Sequence, residues 1–412
     1  MQAIIGIFVV LGLAWALSEH RREVRWLPIL VILGIQLVIA ATLIRVPFIT
    51  QHLNHLNVVV NAISSATSEG TSFVFDYLGG GQLPFELKSE SPPYIFATQL
   101  LPQILVFAVL VAILWYWRVL PMLIKGVAWI LQRTVRIGGA VSVAAAASFF
   151  VGMVESPMMI RGYLKSITRS EFFVVITCGM STVAGSMMVL YVLVLGDVVD
   201  SSLGHIVSAS ILNIFGSILI ASVMVPDDRI TTAGEVEDVY KYNSFFDALT
   251  RGATDGTKVV INIIAMLIVF ISLVALINQV LGLISIGGEP LTLQRITAIV
   301  FQPFTWCMGI PWSDANSAGN LMATKLVINE LVAYEQLGRT GGELTTRSNL
   351  ILTYAICGFT NVGSVGILIG GISSLAPERR KDLLSLAPRT LISGTLVAML
   401  TGSIVGVVSI VG

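Results

Sequence analysis

Long apolar runs with few charges between them constrain this chain more than any other feature. Eight stretches, roughly 1–17, 27–48, 94–117, 170–196, 203–225, 257–282, 347–372 and 387–411, are apolar over the 17–25 residues or so that carry a helix across a hydrocarbon core. Of the 412 residues, 55% are hydrophobic and 12% charged, and the mean hydropathy is +0.87. Soluble domains carry about twice that share of charge, because a core this large needs polar surface to cover it. Nucleic-acid-binding domains, soluble dinucleotide enzymes and secreted scaffolds are thereby excluded. The fold class that remains is an all-α polytopic membrane protein. The first run lacks a basic start and a small-residue cleavage site, so it reads as a retained helix. Cys178, Cys307 and Cys357 stand singly in apolar stretches and offer neither a disulfide framework nor paired zinc ligands.

Three mixed polar and apolar stretches, 50–80, 118–136 and 227–256, suit interfacial helices at the membrane surface. Two others, 138–168 and 289–338, are long enough for two short segments each but carry Pro, Gly and acidic residues at their middles. Irregular backbone survives at membrane depth only inside protein or beside water. Both stretches are therefore expected to be re-entrant hairpins. With this arrangement eighteen of the 24 lysines and arginines fall on one set of loops, and the positive-inside tendency makes that side cytoplasmic. Both termini are expected outside, and the two hairpins are expected to enter from opposite faces.

Two places in the chain read alike. Cys178–Ser186 (CGMSTVAGS) aligns without gaps on Cys357–Val365 (CGFTNVGSV), and each run follows a hairpin that carries an acid, Glu155 or Glu330. Because the hairpins enter from opposite sides, the units form an inverted repeat, the arrangement of many secondary transporters with a midplane site between repeats. Small-residue runs also serve close helix packing, but duplicated runs paired with intramembrane acids point to a site. An ionisable group at membrane depth costs about 3 kcal/mol or more. Lys325, five residues before Glu330, offers a structural partner as the plainer alternative. Asn361 supplies a donor and an acceptor suited to a sugar hydroxyl or a base edge. Ser148, Ser181, Thr182 and Ser364 offer hydroxyl oxygens for a hard cation, although helical Ser and Thr often bond back to their own backbone. Phe359 and Tyr334 are candidates for stacking on a ring. Trp26, Trp115, Tyr116 and Trp117 read as interface-belt residues. A receptor or intramembrane enzyme is the competing class, but no nucleophile and base pair and no His-Glu-x-x-His signature is present, so the chain is not expected to be an enzyme.

At these motifs the chain resembles the concentrative nucleoside transporter family. The likeness covers about 60–411 and is dense at Gly70–Gly79 (GTSFVFDYLG), at Phe150–Pro157 (FVGMVESP) with Met180–Ser186, at Met308–Trp312 (MGIPW) with Lys325–Tyr334 (KLVINELVAY), and at Tyr354–Gly366 (YAICGFTNVGSVG) with Ile369–Pro377. The resemblance implies eight transmembrane helices, two opposed hairpins, a homotrimer in the plasma membrane (the inner membrane of a bacterium), and elevator-type symport of a nucleoside with Na⁺ or H⁺. No cofactor and no nucleic-acid partner are implied. It divides the chain into scaffold and interfacial helices (1–136), a first hairpin and core helix (137–202), further scaffold helices with an amphipathic segment (203–288), a second hairpin and core helix (289–372) and a last helix (373–412). It also implies that Glu330, Asn361 and Ser364 bind ribose, that Phe359 lines the pocket, and that Met153, Val154 and Glu155 form the tip facing the base. Na⁺ would sit by Ser148, Val151, Ser181 and Thr182.

Two departures matter. The family's tip usually reads Gly-Gln-Thr-Glu or Gly-Gln-Ser-Glu, where here it is Gly152-Met153-Val154-Glu155. Loss of two hydrogen-bonding side chains, each contributing about 0.5–1.5 kcal/mol, predicts a broader, weaker or shifted base preference and admits another polar or ribosyl solute. Ser148 stands where a Na⁺-binding Asn is usual, which keeps proton coupling open.

Overall fold

The computed structural model describes residues 1–86, 95–227, 241–286 and 288–409. Apart from a two-residue ladder pairing Ser285–Ile286 with Glu289–Pro290, the regular structure of these residues is helical. The helices are α1 (Gln2–Ala16), α2 (Trp26–Arg45), α3 (Pro47–Phe75), α4 (Gln103–Tyr116), α5 (Val119–Val135), α6 (Gly139–Ser148), α7 (Glu155–Met158), α8 (Arg169–Ser181) and α9 (Gly185–Leu195). They continue with α10 (Ser202–Met224), α11 (Phe245–Leu281), α12 (Leu293–Cys307), α13 (Trp312–Val327), α14 (Glu330–Thr340), α15 (Thr346–Ile356), α16 (Val362–Leu375) and α17 (Arg380–Val408). Six stretches are long and apolar enough to cross a membrane: Trp26–Arg45, Phe96–Tyr116, Arg169–Leu195, Ser202–Met224, Phe245–Leu281 and Pro377–Val408. The two other expected segments, 1–17 and 347–372, are the 15-residue α1 and the α15–α16 pair. The chain is thus a polytopic all-helical membrane protein.

The expected spans 170–196 and 347–372 are each broken in the middle, where the alike sequence runs lie. Helix α8 stops at Ser181 and α9 begins at Gly185; α15 stops at Ile356 and α16 begins at Val362. The two breaks touch. Gly358 has φ +126°, and a Cβ there would stand 2.4 Å from the Ser181 carbonyl oxygen. Only glycine fits that approach. The Phe359 N–H donates to the Thr182 carbonyl at 3.3 Å.

Carbonyls freed inside an apolar core must find donors. Asn213, buried in the middle of α10, donates to the carbonyls of Ser181 (2.8 Å) and Cys357 (3.1 Å), and its own carbonyl accepts from Thr401 of α17 (2.7 Å). Lys325 of α13 donates to the Ala355 carbonyl at 2.8 Å and lies 3.4 Å from that of Cys357. The Thr360 hydroxyl reaches the Met180 carbonyl at 2.8 Å. Helices α10 and α17 pack against each other, against α8 and α15, and against α1 and α2, so the core lies around the crossed breaks.

The hairpin regions differ from expectation in detail. The first has a fully buried limb, α6, but its return is the single turn of α7 followed by a short 3₁₀ turn at Arg161–Tyr163. The second holds three helices rather than two. Helix α12 lies along α13, closely enough that a Cβ on Gly319 would meet the Ala298 carbonyl at 2.7 Å. The bend that corresponds to the first tip is Ile328–Asn329, between α13 and α14. Asn329 caps α14 by accepting from the Val332 N–H at 2.9 Å.

Two of the three expected surface stretches form the helices α3 and α5. Part of the third, 228–240, lies outside the described residues, and the rest does not form a separate surface helix. Helix α11 runs unbroken for 37 residues, about 55 Å at 1.5 Å per residue. Its start is capped by Ser244, and Gly252 and Gly256 bring it against Leu105, Ala108, Val109 and Ala112 of α4. Glycines four apart give a flat face for close helix contact, which the polar character of the stretch concealed.

Ion pairs join the loop after α1 to α8 and α17. Glu19 pairs with Arg169 (2.9 Å) and Arg389 (3.0 Å), and Asp382 with Arg169 (3.2 Å) and Arg379 (3.1 Å). The hydrogen bond from Arg169 holds the Glu19 carboxyl below its ordinary value, outweighing its partial burial, with Arg389 adding to the effect. A carboxyl lowered in the folded state contributes stability above its unfolded value of 4.5, and that contribution is lost as the pH falls through the lower folded value. Glu19→Gln should therefore cost about 1 kcal/mol at neutral pH, and the gap to wild type should close in acid; thermal unfolding in detergent across a pH series measures it, and a gap independent of pH contradicts the assignment. Asn213→Ala takes its bond from the Ser181 carbonyl and the Thr401 hydroxyl, leaves the Cys357 carbonyl to Lys325 at 3.4 Å, and should cost about 2 kcal/mol. An unchanged unfolding midpoint would show that the breaks do not depend on Asn213.

Candidate functional site

The helix breaks and hairpin bends converge on a cavity of 420 Å³, closed on its far side by α4 and α11. It takes in Val151, Met153, Val154, Glu155, Glu330, Phe359, Asn361 and Ser364. Every residue that the resemblance assigns to the substrate therefore faces one space, although they come from three separate stretches of chain.

Its most polar corner is built on helix N-termini. Glu330 opens α14 and Asn361 caps α16, where unpaired N–H groups and the helix dipole favour negative charge. The Glu330 carboxylate accepts from the Tyr191 hydroxyl at 2.8 Å and from the Asn361 amide at 3.3 Å. The Asn361 carbonyl accepts from the Ser364 N–H at 2.8 Å, and its amide also reaches the Phe359 carbonyl at 3.1 Å. The carboxylate and amide are thus oriented by their neighbours before any ligand arrives.

The first hairpin's tip supplies an apolar wall. Val154 packs on Gly371 and Met153 on Gly179, where added Cβ atoms would lie 2.5 Å and 3.1 Å from those side chains. The Glu155 carboxylate folds back over Gly152, so that a Cβ at Gly152 would stand 2.3 Å from Oε2.

The four residues expected around a cation gather at the ends of α6 and α8. The Thr182 hydroxyl lies 2.9 Å from the carbonyls of both Ser148 and Cys178, and the Ser148 hydroxyl bonds back to Ala145 at 2.8 Å. The Ser181 hydroxyl is buried with no hydrogen-bond partner among the described residues, leaving its lone pairs available. Val151 follows Ser148 by three residues and also lines the cavity. Among the described residues no three His, Cys, Asp or Glu side chains group as a metal cage. Hydroxyls and carbonyls are therefore the donors on offer, a set that suits a hard monovalent cation.

Some readings change. Lys325 turns to the α15 carbonyls and forms no ion pair with Glu330 among the described residues. Tyr334 does not face the cavity; it stacks on Tyr191 with ring centroids 4.9 Å apart, and its hydroxyl donates to the Thr353 carbonyl at 2.6 Å. Trp115 is buried and lines the cavity, rather than standing in an interface belt, whereas Trp117 is exposed. Tyr191, Asn213 and the polar face of α11 were missed. Asn213 carried a legible signal, an amide in the middle of an apolar span; Tyr191, in α9 five residues beyond the alike run, carried none.

Comparison with known proteins agrees with this geometry. Residues 205–406 match the family described as Na⁺ dependent nucleoside transporter C-terminus, 5–78 its N-terminus, and 97–198 the description Nucleoside recognition. The chain is 32% identical over 418 residues to an uncharacterised transporter of Haemophilus influenzae, covering 98% of this chain and 97% of the relative. It is 31% identical over 413 residues to the nucleoside permease NupC of Helicobacter pylori, with 98% and 96% covered. The solved structure of CNTnw in an inward-facing substrate-bound state superposes with a TM-score of 0.89 at 32% identity, over 99% of this chain and 98% of that one. With matches spanning both ends of the sequence and the whole of the fold, the chain belongs to the Na⁺-dependent nucleoside transporter family of membrane transport proteins.

Proposed function

We propose that the protein imports nucleosides across a plasma membrane, the inner membrane of a bacterium, by symport with a cation. The observation that carries this reading is the corner formed by Glu330, Tyr191 and Asn361. A carboxylate held by a hydroxyl and an amide, at the mouth of two helix N-termini, can accept from the vicinal hydroxyls of a ribose while Asn361 and Ser364 complete the contacts. Phe359 packs on the sugar or base, and the Met153–Val154 tip with Glu155 faces the base.

Na⁺ is the coupling ion of this reading, held by Ser181 and Thr182 with carbonyls at Ser148 and Val151. The unpartnered Ser181 hydroxyl supports it. The coupling route is short. Thr182 touches the end of α6, whose continuation is the tip, and its carbonyl receives the N–H of Phe359 on the cavity wall. An ion that orders this junction lowers the ordering cost of substrate binding, and the substrate reciprocates.

Transport in this reading is elevator-like, with 137–202 and 289–372, an inverted repeat, carrying the site past α4 and α11. CNTnw has been solved in inward-facing, intermediate and outward-facing states, which supports a carrier that moves. The exposed apolar face of α11, including Ile261, Ile268, Leu276 and Val280, suits lipid or neighbouring copies in a homotrimer, with both termini outside. A second reading, transport of another polar or ribosyl solute with Na⁺ or H⁺, is favoured by the apolar tip alone.

Uptake of labelled uridine and adenosine into proteoliposomes, with Na⁺ and pH gradients imposed separately, tests the reading; an absence of gradient-driven uptake of any ribosyl compound overturns it. Glu330→Gln removes a charged acceptor of two hydroxyls and should lower kcat/KM by about 100-fold. Ser181→Ala should raise the Na⁺ concentration for half-maximal uptake by about 10-fold at saturating uridine. Uptake that follows the pH gradient and ignores both Na⁺ and this substitution assigns the coupling to protons.

A further inference from the structure

We infer that Asn262, on the α11 wall opposite the hairpin tips, is a base-reading residue that takes the place of the polar pair absent from the tip. The inference rests on the reading of the cavity as a nucleoside site and extends it to base recognition.

Helix α11 presents one face to the cavity, with Asp255, Val259, Asn262, Met266 and Phe270 among its lining residues, at spacings that fall on one side of a helix. Phe270 marks the sugar end: its ring packs over Gly363, where an added Cβ would stand 2.7 Å from the ring and 3.4 Å from the Asn361 carbonyl oxygen. Counting back along α11 at 1.5 Å per residue, Asn262 lies about 12 Å from Phe270 and Asp255 about 22 Å. The nearer distance matches the reach from a ribose to the far edge of its base. The farther one places Asp255 beyond the base, where it pairs with Lys258 at 3.2 Å.

The tip side of the cavity, Val151, Met153 and Val154, offers no side-chain donor or acceptor apart from Glu155. Asn262 carries a donor and an acceptor on one amide, and no described residue hydrogen-bonds it. Asn262 is exposed, so its amide is open to a polar ligand that enters the cavity. An amide that can present either edge recognises the polar edge of a pyrimidine or a purine, so the site takes both classes and discriminates against bases without exocyclic polar groups. Ser186, at the start of α9, is the competing hydroxyl.

The test is competition against labelled uridine in proteoliposomes by uridine, adenosine and purine riboside, which lacks an exocyclic group. Asn262→Leu should weaken uridine and adenosine about fivefold and leave purine riboside unchanged. Met153→Gln combined with Val154→Thr should restore the loss by returning polar groups to the tip. A uniform loss for all three compounds, or base discrimination that moves with Ser186→Ala and not with Asn262→Leu, overturns the inference. Failure of the underlying reading is distinct, since wild type would then take up none of the three.

Discussion

Backbone that leaves a helix inside a hydrocarbon core has no water to turn to, and this chain does so twice at one point. The breaks between α8 and α9 and between α15 and α16 meet where Gly358 lies against the Ser181 carbonyl. Together the breaks are tolerable because a third and a fourth helix reach in. Asn213 spans both breaks, and Lys325 closes the end of α15. An ammonium buried in apolar protein is costly by itself, but two carbonyl oxygens at a helix C-terminus give it the negative surroundings it needs. Both helpers reach the Cys357 carbonyl, so the breaks and their supports form one unit.

The cavity follows from that unit. A continuous helix presents side chains to its neighbours and consumes its own backbone; a broken one turns its new N-terminus toward the gap. Glu330 and Asn361 stand at two such ends, and each is fixed by a bond to the other. The polar corner is consequently preorganised, and the rest of the wall is free to be apolar. This division suits a ligand with hydroxyls at one end and a flat ring at the other.

Much of this was legible in the residues. The apolar runs placed the helices, and the duplicated Cys-Gly runs marked the breaks, because runs of small and hydroxyl residues in a span are where helices can part. Glu155, Glu330 and Asn361 stood out as polar groups that a membrane does not keep idly. What could not be read was which way long-range partners turn. Lys325 sits five residues from Glu330 in sequence, yet the Ile328–Asn329 bend swings the two apart, and the amine finds carbonyls about 30 residues later in the chain. The continuity of α11 was hidden for a related reason: Asp247, Arg251, Asp255 and Lys258 look like a surface helix, while Gly252 and Gly256 on the adjacent face bury against α4. Composition averages over the two faces, and only packing separates them.

In the proposed reading, the same geometry lets cation and solute influence each other without touching. Thr182 contacts the end of the first hairpin's limb with its hydroxyl and the second break with its carbonyl. Both contacts come from a residue with extended backbone, held by no helix of its own. In the proposed reading, an ion at Ser148 and Ser181 would therefore bias the position of the Met153–Val154 tip on one side and of Phe359 on the other, which are two walls of the cavity. Placing the junction between the broken ends, rather than within a regular helix, would let a small ion bias a large surface, because the residue it orders is held by no helix of its own.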